Sequence, residues 1–246
     1  MPTKPNEIRK IYMQKTIDAL KEMPLWLLWK KQSRNGKVSK IPFAADGSAC
    51  GTNDEYQHKW VAFDAAQEAA EKRKADGIGF VIPEGMFFLD IDHRDLNDPE
   101  VKEILALFNS YSEFSVSGTG IHVYGLCDVE QLPTWMDPKD GKRKLAKEYY
   151  THHSDNGLEL YFGDLTSRFA VYTGKTIKNQ PLADCMDALL YTLNRYMKRP
   201  VSKSPLEKKW TKSFRNFVAR KTASNSAVFS MTASGRNTAR NQKSTW

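Results

Sequence analysis

Residues 77–93, GIGFVIPEGMFFLDIDH, constrain the fold of this chain more than any other stretch. Two apolar runs, 77–82 and 86–92, flank a turn at Pro83-Glu84-Gly85. Short apolar runs bounded by Pro and Gly are typical of buried strands. The second run ends in two aspartates, so the sequence predicts a core strand that carries carboxylates at its end.

The segments around these two strands alternate between helical and extended patterns. Amphipathic periods predict helices, and apolar runs beside Gly turns predict strands and hairpins. The helices are predicted over 7–22, 60–75, 99–110 and 181–197, the further strands over 25–29 and 40–43 around a turn at 33–40, a hairpin over 112–126, a strand pair formed by 157–162 and 168–174, and loop or polar stretches over 44–54 and 128–156. Hairpins interspersed with helices predict an α+β fold with largely antiparallel sheets.

The cysteines and the apolar runs exclude several classes of protein. Cys50, Cys127 and Cys185 are odd in number and far apart, so neither a disulfide framework nor a zinc site is predicted. No apolar run approaches the ~20 residues that cross a bilayer. The N-terminus has no apolar segment behind its charges and is not typical of a secretory signal. We therefore expect a cytoplasmic protein without a membrane partner.

The formal net charge of +8 belongs to the C-terminal fifth of the chain. Residues 198–246 contain 12 of the 37 basic residues and one of the 29 acidic residues, which leaves 1–197 with a net charge of −3. The charge is therefore weak support for a basic DNA-binding face. We predict one folded domain over 1–200. Residues 201–246, rich in Ser, Thr, Ala, Asn and Arg, are predicted to be a disordered basic tail that could contact DNA.

Asp90 and Asp92 form the first candidate site. They lie two residues apart in a predicted strand, so their side chains share a face. Two neighbouring carboxylates suit Mg²⁺, which takes oxygen ligands and keeps positions for phosphate. Two such ions, about 3.5–4 Å apart, can activate an attacking oxygen and stabilise a leaving pyrophosphate. Taken alone, the pair is more often simply the polar end of a strand.

The segment SVSGTGIH, residues 115–122, predicts a tight turn beside a histidine. Ser117, Gly118 and Gly120 leave backbone N–H groups that suit phosphate oxygens, and His122 in the following strand can donate to a phosphate. The alternative is a plain Gly hairpin with a solvated histidine. A Ser/His hydrolase is disfavoured, because the chain has no GxSxG elbow and no acidic partner is expected to orient His122.

The third candidate site combines Glu159 of GLELYF with Arg168 of RFAVYTG. Glu159 points away from Leu158 and Leu160 in a predicted strand, so it can supply a third carboxylate. Arg168 suits a triphosphate, because a guanidinium matches phosphate bidentately. Each of the two is equally compatible with an ordinary surface residue.

The order of these motifs resembles that of the archaeo-eukaryotic primase superfamily. The resemblance is closest to the primase-polymerase domains of phages and mobile elements, and the segments WLLWK, KIPF, GTND, WVAF and GIGFV add to it. It spans about residues 24–175. It implies that 1–200 is a catalytic domain whose RRM-like sheet carries the acids.

The resemblance also implies roles for particular residues. Asp90, Asp92 and Glu159 correspond to the metal-binding acids. The residues implied to hold the nucleotide are Ser117, Gly118, Gly120, His122, Arg168 and, on weaker grounds, Lys40.

The reaction implied by the resemblance is templated nucleotidyl transfer. It would use Mg²⁺ or Mn²⁺, dNTP or NTP substrates and a single-stranded DNA template in phage or mobile-element replication, with a fused or associated replicative helicase as partner. Two alternatives stay open. One is a nucleotide- or DNA-binding remnant of a primase-helicase with weak catalysis, and the other is a metal-dependent nuclease.

The tail has a second interpretation, in which it is read out of frame. Codons that can encode 220–246, read from the last base of each, permit NGKQFSGLFNDGKW and, two residues later, YGSQSEVDL. That string resembles the continuation of these phage primases. A frameshift between about residues 200 and 210 would make the chain a truncated form. The gene's nucleotide sequence decides this, since a stop codon or unrelated residues in the shifted frame before position 246 would exclude the frameshift.

Overall fold

The computed structural model describes residues 15–34 and 36–200. Most of the helix predicted over 7–22 lies outside these residues. Its described part forms only a 3₁₀ turn, Ile17–Leu20. The predicted tail over 201–246 also lies outside the described residues, so both interpretations of it stay predictions.

The described chain forms three α-helices and twelve short strands. The helices are α1 (Phe63–Arg73), α2 (Pro99–Phe108) and α3 (Met186–Tyr196). The strands are β1 (Trp26–Arg34), β2 (Lys37–Phe43), β3 (Gly77–Val81), β4 (Met86–Ile91), β5 (Ser112–Phe114), β6 (Ile121–Leu126), β7 (Thr134–Met136), β8 (Arg143–Leu145), β9 (His152–His153), β10 (Leu158–Phe162), β11 (Phe169–Tyr172) and β12 (Thr176–Lys178). None of the helices described is long and apolar enough to span a membrane.

The strands form two larger sheets and one small one, and every neighbouring pair is antiparallel. The first sheet has the order β11-β3-β1-β2, and the second has the order β12-β5-β6-β4-β10-β9. Strands β7 and β8 form a separate hairpin within the predicted polar stretch. The predicted α+β class with antiparallel sheets is therefore confirmed. The specific primase-like arrangement of the core stays a prediction.

The predicted pairing of 157–162 with 168–174 is wrong. Strand β10 pairs with β4 and β9 in the second sheet, whereas β11 pairs with β3 in the first sheet. The chain crosses between the sheets at Gly163, whose N–H donates to the Met86 carbonyl. A Cβ at this position would lie 2.0 Å from the Pro83 carbonyl oxygen, so the close crossing requires glycine. Strands β3 and β4 are likewise consecutive but belong to different sheets.

Strand β4 is central to the second sheet and is buried on both faces. Phe87, Leu89 and Ile91 point to a cluster that includes buried residues of α2 and α3. Met86 and Phe88 point the other way, to a cluster shared with the first sheet. Because side chains alternate along a strand, the next residue on the Phe88 face is Asp90. The apolar pattern of β4 thus directs its acid into the cleft between the two sheets.

Both ends of helix α2 are determined by local residues. The Asp98 side chain accepts hydrogen bonds from the N–H groups of Glu100 and Val101, and Pro99 occupies the first turn. The helix ends at Asn109, which has a left-handed conformation with φ of 35°. The prediction of 99–110 is therefore confirmed with a C-terminus two residues earlier.

We expect Gly79→Ala to destabilise the first sheet. A methyl group on Gly79 would lie 2.4 Å from the Ala170 carbonyl oxygen, so β11 must move away from β3. Overpacking of this kind costs about 1–3 kcal/mol of unfolding free energy, which chemical denaturation measures. Gly141→Ala is the comparison, because its added methyl meets open space and only its positive φ is strained. A smaller loss for Gly79→Ala than for Gly141→Ala contradicts the prediction.

Candidate active site

A row of acids and histidines crosses the second sheet on the face that borders the cleft. In the strand register, Glu113 lies opposite His122, His122 opposite Asp90, Asp90 opposite Glu159, and Glu159 opposite His152. Directly opposed residues project to the same face with Cβ atoms about 4.5–5.5 Å apart. Five neighbouring strands, β5, β6, β4, β10 and β9, therefore each contribute one ionisable side chain to a single line.

Asp90, at the middle of this row, is partly buried, and one of its two carboxylate oxygens has no hydrogen-bond partner among the described residues. Its side chain is 16 % exposed, and its Oδ1 lies 3.7 Å from Nε2 of His122. This Oδ1 is the oxygen without a partner in that part of the chain, and it is buried. Burial is the main cause that raises the pKa of Asp90 to about 6, and the charges of Asp92 and Glu159 add to it, while His122 and Lys40 oppose it.

The unpaired oxygen of Asp90 fits a divalent cation, because a hard cation replaces the hydrogen bonds that the carboxylate lacks. Asp92 follows β4 directly and lines the same cavity as Asp90. Glu159 is engaged elsewhere, since it accepts from Tyr161 and lies 2.5 Å from Nδ1 of His152. Accordingly, within the described ranges no three Asp, Glu, His or Cys side chains are already grouped around one ion position. The two aspartates fit a metal, and Glu159 joins them only after leaving its partners.

The wall opposite the acids carries cations from the first sheet. A cavity of about 540 Å³ is lined by the acids on one side and by Lys40 of β2 and Arg168, which directly precedes β11, on the other. Both cations are exposed. The Arg168 guanidinium lies 5.4 Å from the ring centre of Tyr161, which forms part of the floor. An acidic wall that faces a basic wall can hold a metal ion together with the phosphates of its ligand.

His122 lies beside Asp90 on the second sheet and is almost fully buried, at 1 % exposure. The expectation that no acid orients it is wrong. Nδ1 of His122 lies 3.2 Å from Oε1 of Glu113, a carboxylate with no exposed surface. The signal was present in the sequence, because a hairpin closed between Ser115 and Gly120 places residue 113 opposite residue 122. Glu113 is thus the buried neighbour that sequence reasoning missed.

The turn formed by Ser117, Gly118 and Gly120 is not among the residues that line the acidic cavity. Ser117 Oγ instead lies within 3.0 Å of Ser115 Oγ and within 2.9 Å of Thr119 Oγ1. Gly120 packs against the Ile91 carbonyl, so the turn borders the end of β4 from which Asp92 emerges. The phosphate role of these three residues stays a prediction.

The structure brings the other six predicted site residues together. They line one cavity and are Asp90, Asp92, Glu159, His122, Arg168 and Lys40.

The acids and cations that line this one cavity have the charges needed to bind a divalent cation together with phosphate groups. No protein-family model matches the chain. A DNA Primase-polymerase of Nitratiruptor phage NrS-1 is 32% identical over 115 residues. The match covers 44% of this chain and 15% of the length of the phage protein. It supports a distant relationship to phage primase-polymerases and, in general, an enzyme of the primase or polymerase type.

We expect Asp90→Asn to stabilise the metal-free protein at alkaline pH. Because the pKa of Asp90 is raised to about 6 in the fold, the stability gained by protonation is present below its unfolded value near 3.8 and is lost as pH rises through about 6. A neutral amide removes that loss, which amounts to about 1–3 kcal/mol at pH 8. Thermal unfolding with a chelator at pH 8 and pH 4 measures it.

The gain in unfolding temperature should be large at pH 8 and small at pH 4. The exposed Asp64→Asn on α1 is the matched control and should show neither effect. An Asp90→Asn variant that is less stable than the parent at pH 8 would refute the account of the site as electrostatically strained.

Proposed function

We propose that this protein is a metal-dependent nucleotidyltransferase that synthesises primers or extends strands on a single-stranded DNA template. One observation supports the proposal, namely that carboxylates of the second sheet share one cavity with Lys40 of the first sheet and Arg168, which directly precedes β11. A nucleoside triphosphate with its metal ions has the matching charge pattern. The similarity to a phage DNA Primase-polymerase supports the same class of reaction.

In this proposal Asp90 and Asp92 hold Mg²⁺ or Mn²⁺, with Glu159 as the third acid. When bound, the metal would neutralise the charge that develops on the phosphates and favour attack by a 3′-oxygen. Glu159 is free to join after it gives up its contacts with His152 and Tyr161.

The cations of the cleft hold the triphosphate. Arg168 can bind two phosphate oxygens at once, and Lys40 supplies a point charge from the neighbouring edge strand. His122, buried against Phe88, presents Nε2 beside Asp90. Held between these groups, the α-phosphate faces the acids and pyrophosphate leaves towards the cations. The reaction needs no nucleophilic side chain, because positioning and electrostatic stabilisation lower its barrier.

The partners of this activity are a template and a nucleotide. We propose a single-stranded DNA template, a dNTP or NTP as substrate, and a replicative helicase, fused or associated, in the replication of a phage or mobile element. The charge of 1–197 gives no basic DNA-binding face by itself. The template contact would therefore depend on local groups of cations.

The decisive experiment is primer synthesis on single-stranded DNA with labelled dNTPs or NTPs and added Mn²⁺ or Mg²⁺. We expect metal-dependent products from the parent protein, and a loss of about 10²-fold or more for Asp90→Ala. The matched control is Asp64→Ala, an exposed aspartate on α1 outside the cavity. Normal primer synthesis by Asp90→Ala would refute the assignment of Asp90 as a catalytic metal-binding residue. DNA cleavage without nucleotides indicates the nuclease alternative, and triphosphate binding without synthesis indicates the remnant.

We expect Arg168→Ala to weaken nucleotide use without removing the metal site. Its guanidinium is exposed and lies over the Tyr161 ring, so its loss should leave Asp90 and Asp92 in place. Loss of a charged phosphate contact of about 1.5–3 kcal/mol raises KM roughly 10- to 100-fold. Steady-state kinetics with varied nucleotide measure the change, and the exposed Arg195→Ala on α3 is the control. An unchanged KM would place the triphosphate elsewhere.

A further inference from the structure

Glu113 is a fully buried carboxylate surrounded by hydrogen-bonding groups from three parts of the chain, namely Tyr111, strand β6 and the segment that follows β11. Its Oε1 faces Nδ1 of His122 at 3.2 Å and accepts from the Tyr124 hydroxyl at 3.0 Å and the Thr173 N–H at 3.0 Å. Its Oε2 accepts from the Gly174 N–H at 2.9 Å and the Tyr111 hydroxyl at 3.2 Å. A buried carboxylate is costly unless all its lone pairs are used, and here they are.

The two oxygens of Glu113 have different neighbours. Oε2 contacts Tyr111 and Gly174, which lies in the segment between β11 and β12, and neither of these residues lines the cleft. Oε1 contacts His122, whose opposite nitrogen faces Asp90. The partners of Oε2 thus lie outside the cleft, whereas Oε1 is connected to the cleft through the imidazole ring of His122.

Neighbouring aromatic rings restrict the orientation of the His122 ring. It packs edge-on against Phe88, with ring centres 5.1 Å apart, and lies 6.2 Å from the Tyr124 ring at 86°. Nδ1 also lies 3.4 Å from the Tyr124 hydroxyl, whose single proton has shorter contacts with Glu113 Oε1 and the Val171 carbonyl oxygen. Since a carboxylate has no proton to give to Nδ1, its hydrogen bond with Glu113 makes Nδ1 the donor. In this orientation Nε2 is the atom that lies 3.7 Å from Asp90 Oδ1.

We propose that Glu113 is a positioning residue that keeps a proton on Nδ1 of His122 and directs Nε2 of the ring to the cleft. The inference rests on the proposed function, in which Nε2 meets a phosphate oxygen of the nucleotide. When Nε2 also carries a proton, it donates to that oxygen, and the Glu113 carboxylate offsets the positive charge of the ring. A histidine that is oriented by a buried acid is a recurring device for fixing the tautomer.

The tautomer is read directly by ¹⁵N NMR of the histidine side chains in the full chain. The sequence has five histidines, and the signal lost in His122→Ala assigns His122. We expect Nδ1 of His122 to be protonated in the parent protein and this preference to weaken in Glu113→Gln. A lone proton on Nε2 in the parent protein overturns the proposal. This measurement needs neither a nucleotide nor synthesis, so it stands even where the parent protein makes no primers.

Steady-state kinetics then distinguish a positioning role of Glu113 from a purely structural role. We expect Glu113→Gln to raise KM for the nucleotide roughly 10- to 100-fold, because a misdirected His122 binds phosphate poorly. A merely structural loss removes active molecules, which lowers kcat and leaves KM unchanged. Tyr111→Phe is the matched control, since it removes a donor to Oε2 and spares the His122 contact. It should lower the melting temperature and leave KM within about twofold.

A double-mutant cycle completes the test. If Glu113 acts through His122, adding Glu113→Gln to His122→Ala should raise KM no further. Effects of the two substitutions that multiply would overturn the positioning role, as would a KM for Glu113→Gln equal to that of the parent. Absence of synthesis by the parent protein itself overturns the proposed function and leaves the NMR result to decide the role of Glu113.

Discussion

The register of β4 between β6 and β10 is the constraint on which the site depends. It sets Asp90 opposite His122 on one side and opposite Glu159 on the other. A slip of one residue would turn Asp90 towards α2 and α3 and bring Leu89 to the cleft. Five of the six side chains of β4 are buried, and the exception is Asp90. Burial of the apolar side chains therefore determines which face of the sheet carries the carboxylate. The alternation of side chains along β4 sets both the packing of the core and the position of Asp90.

This placement sets stability against function at Asp90. A carboxylate with a buried, unpaired oxygen and a raised pKa is unfavourable for the metal-free fold at neutral pH. Its like-charged neighbours, Asp92 and Glu159, add to the cost. The cation of the proposed function would relieve both problems at once, because it would pair the oxygen and neutralise the repulsion. Functional sites are where chains violate local rules of burial, and β4 violates one at a single position.

The sequence predicted local features well and long-range pairing poorly. The strand ending in the acids, the hairpin over 112–126 and the helix starting at Pro99 follow from patterns within a few residues. The separation of β10 from β11 does not, because it depends on a crossing at Gly163 that packs against distant residues. Arg168 reaches the acidic cavity because the chain crosses to the first sheet there, whereas Lys40 lies on β2 at the other edge of that sheet. The sequence suggested both residues by their type, and their common cavity follows from the packing of the two sheets. The contact between Glu113 and His122 could have been predicted from the sequence, since the register of the closed hairpin places the two residues opposite each other.

The two walls of the cleft are connected through the partners of Glu113. The Tyr124 hydroxyl donates to Glu113 and is also 2.9 Å from the Val171 carbonyl oxygen, which lies in the first sheet. Residues 173 and 174, which donate to the same carboxylate, continue the strand that follows Arg168. The basic wall is therefore anchored to the group that orients His122 on the acidic sheet. Because one buried carboxylate bonds to both sheets, the spacing between cations and acids follows from its hydrogen bonds as well as from apolar packing.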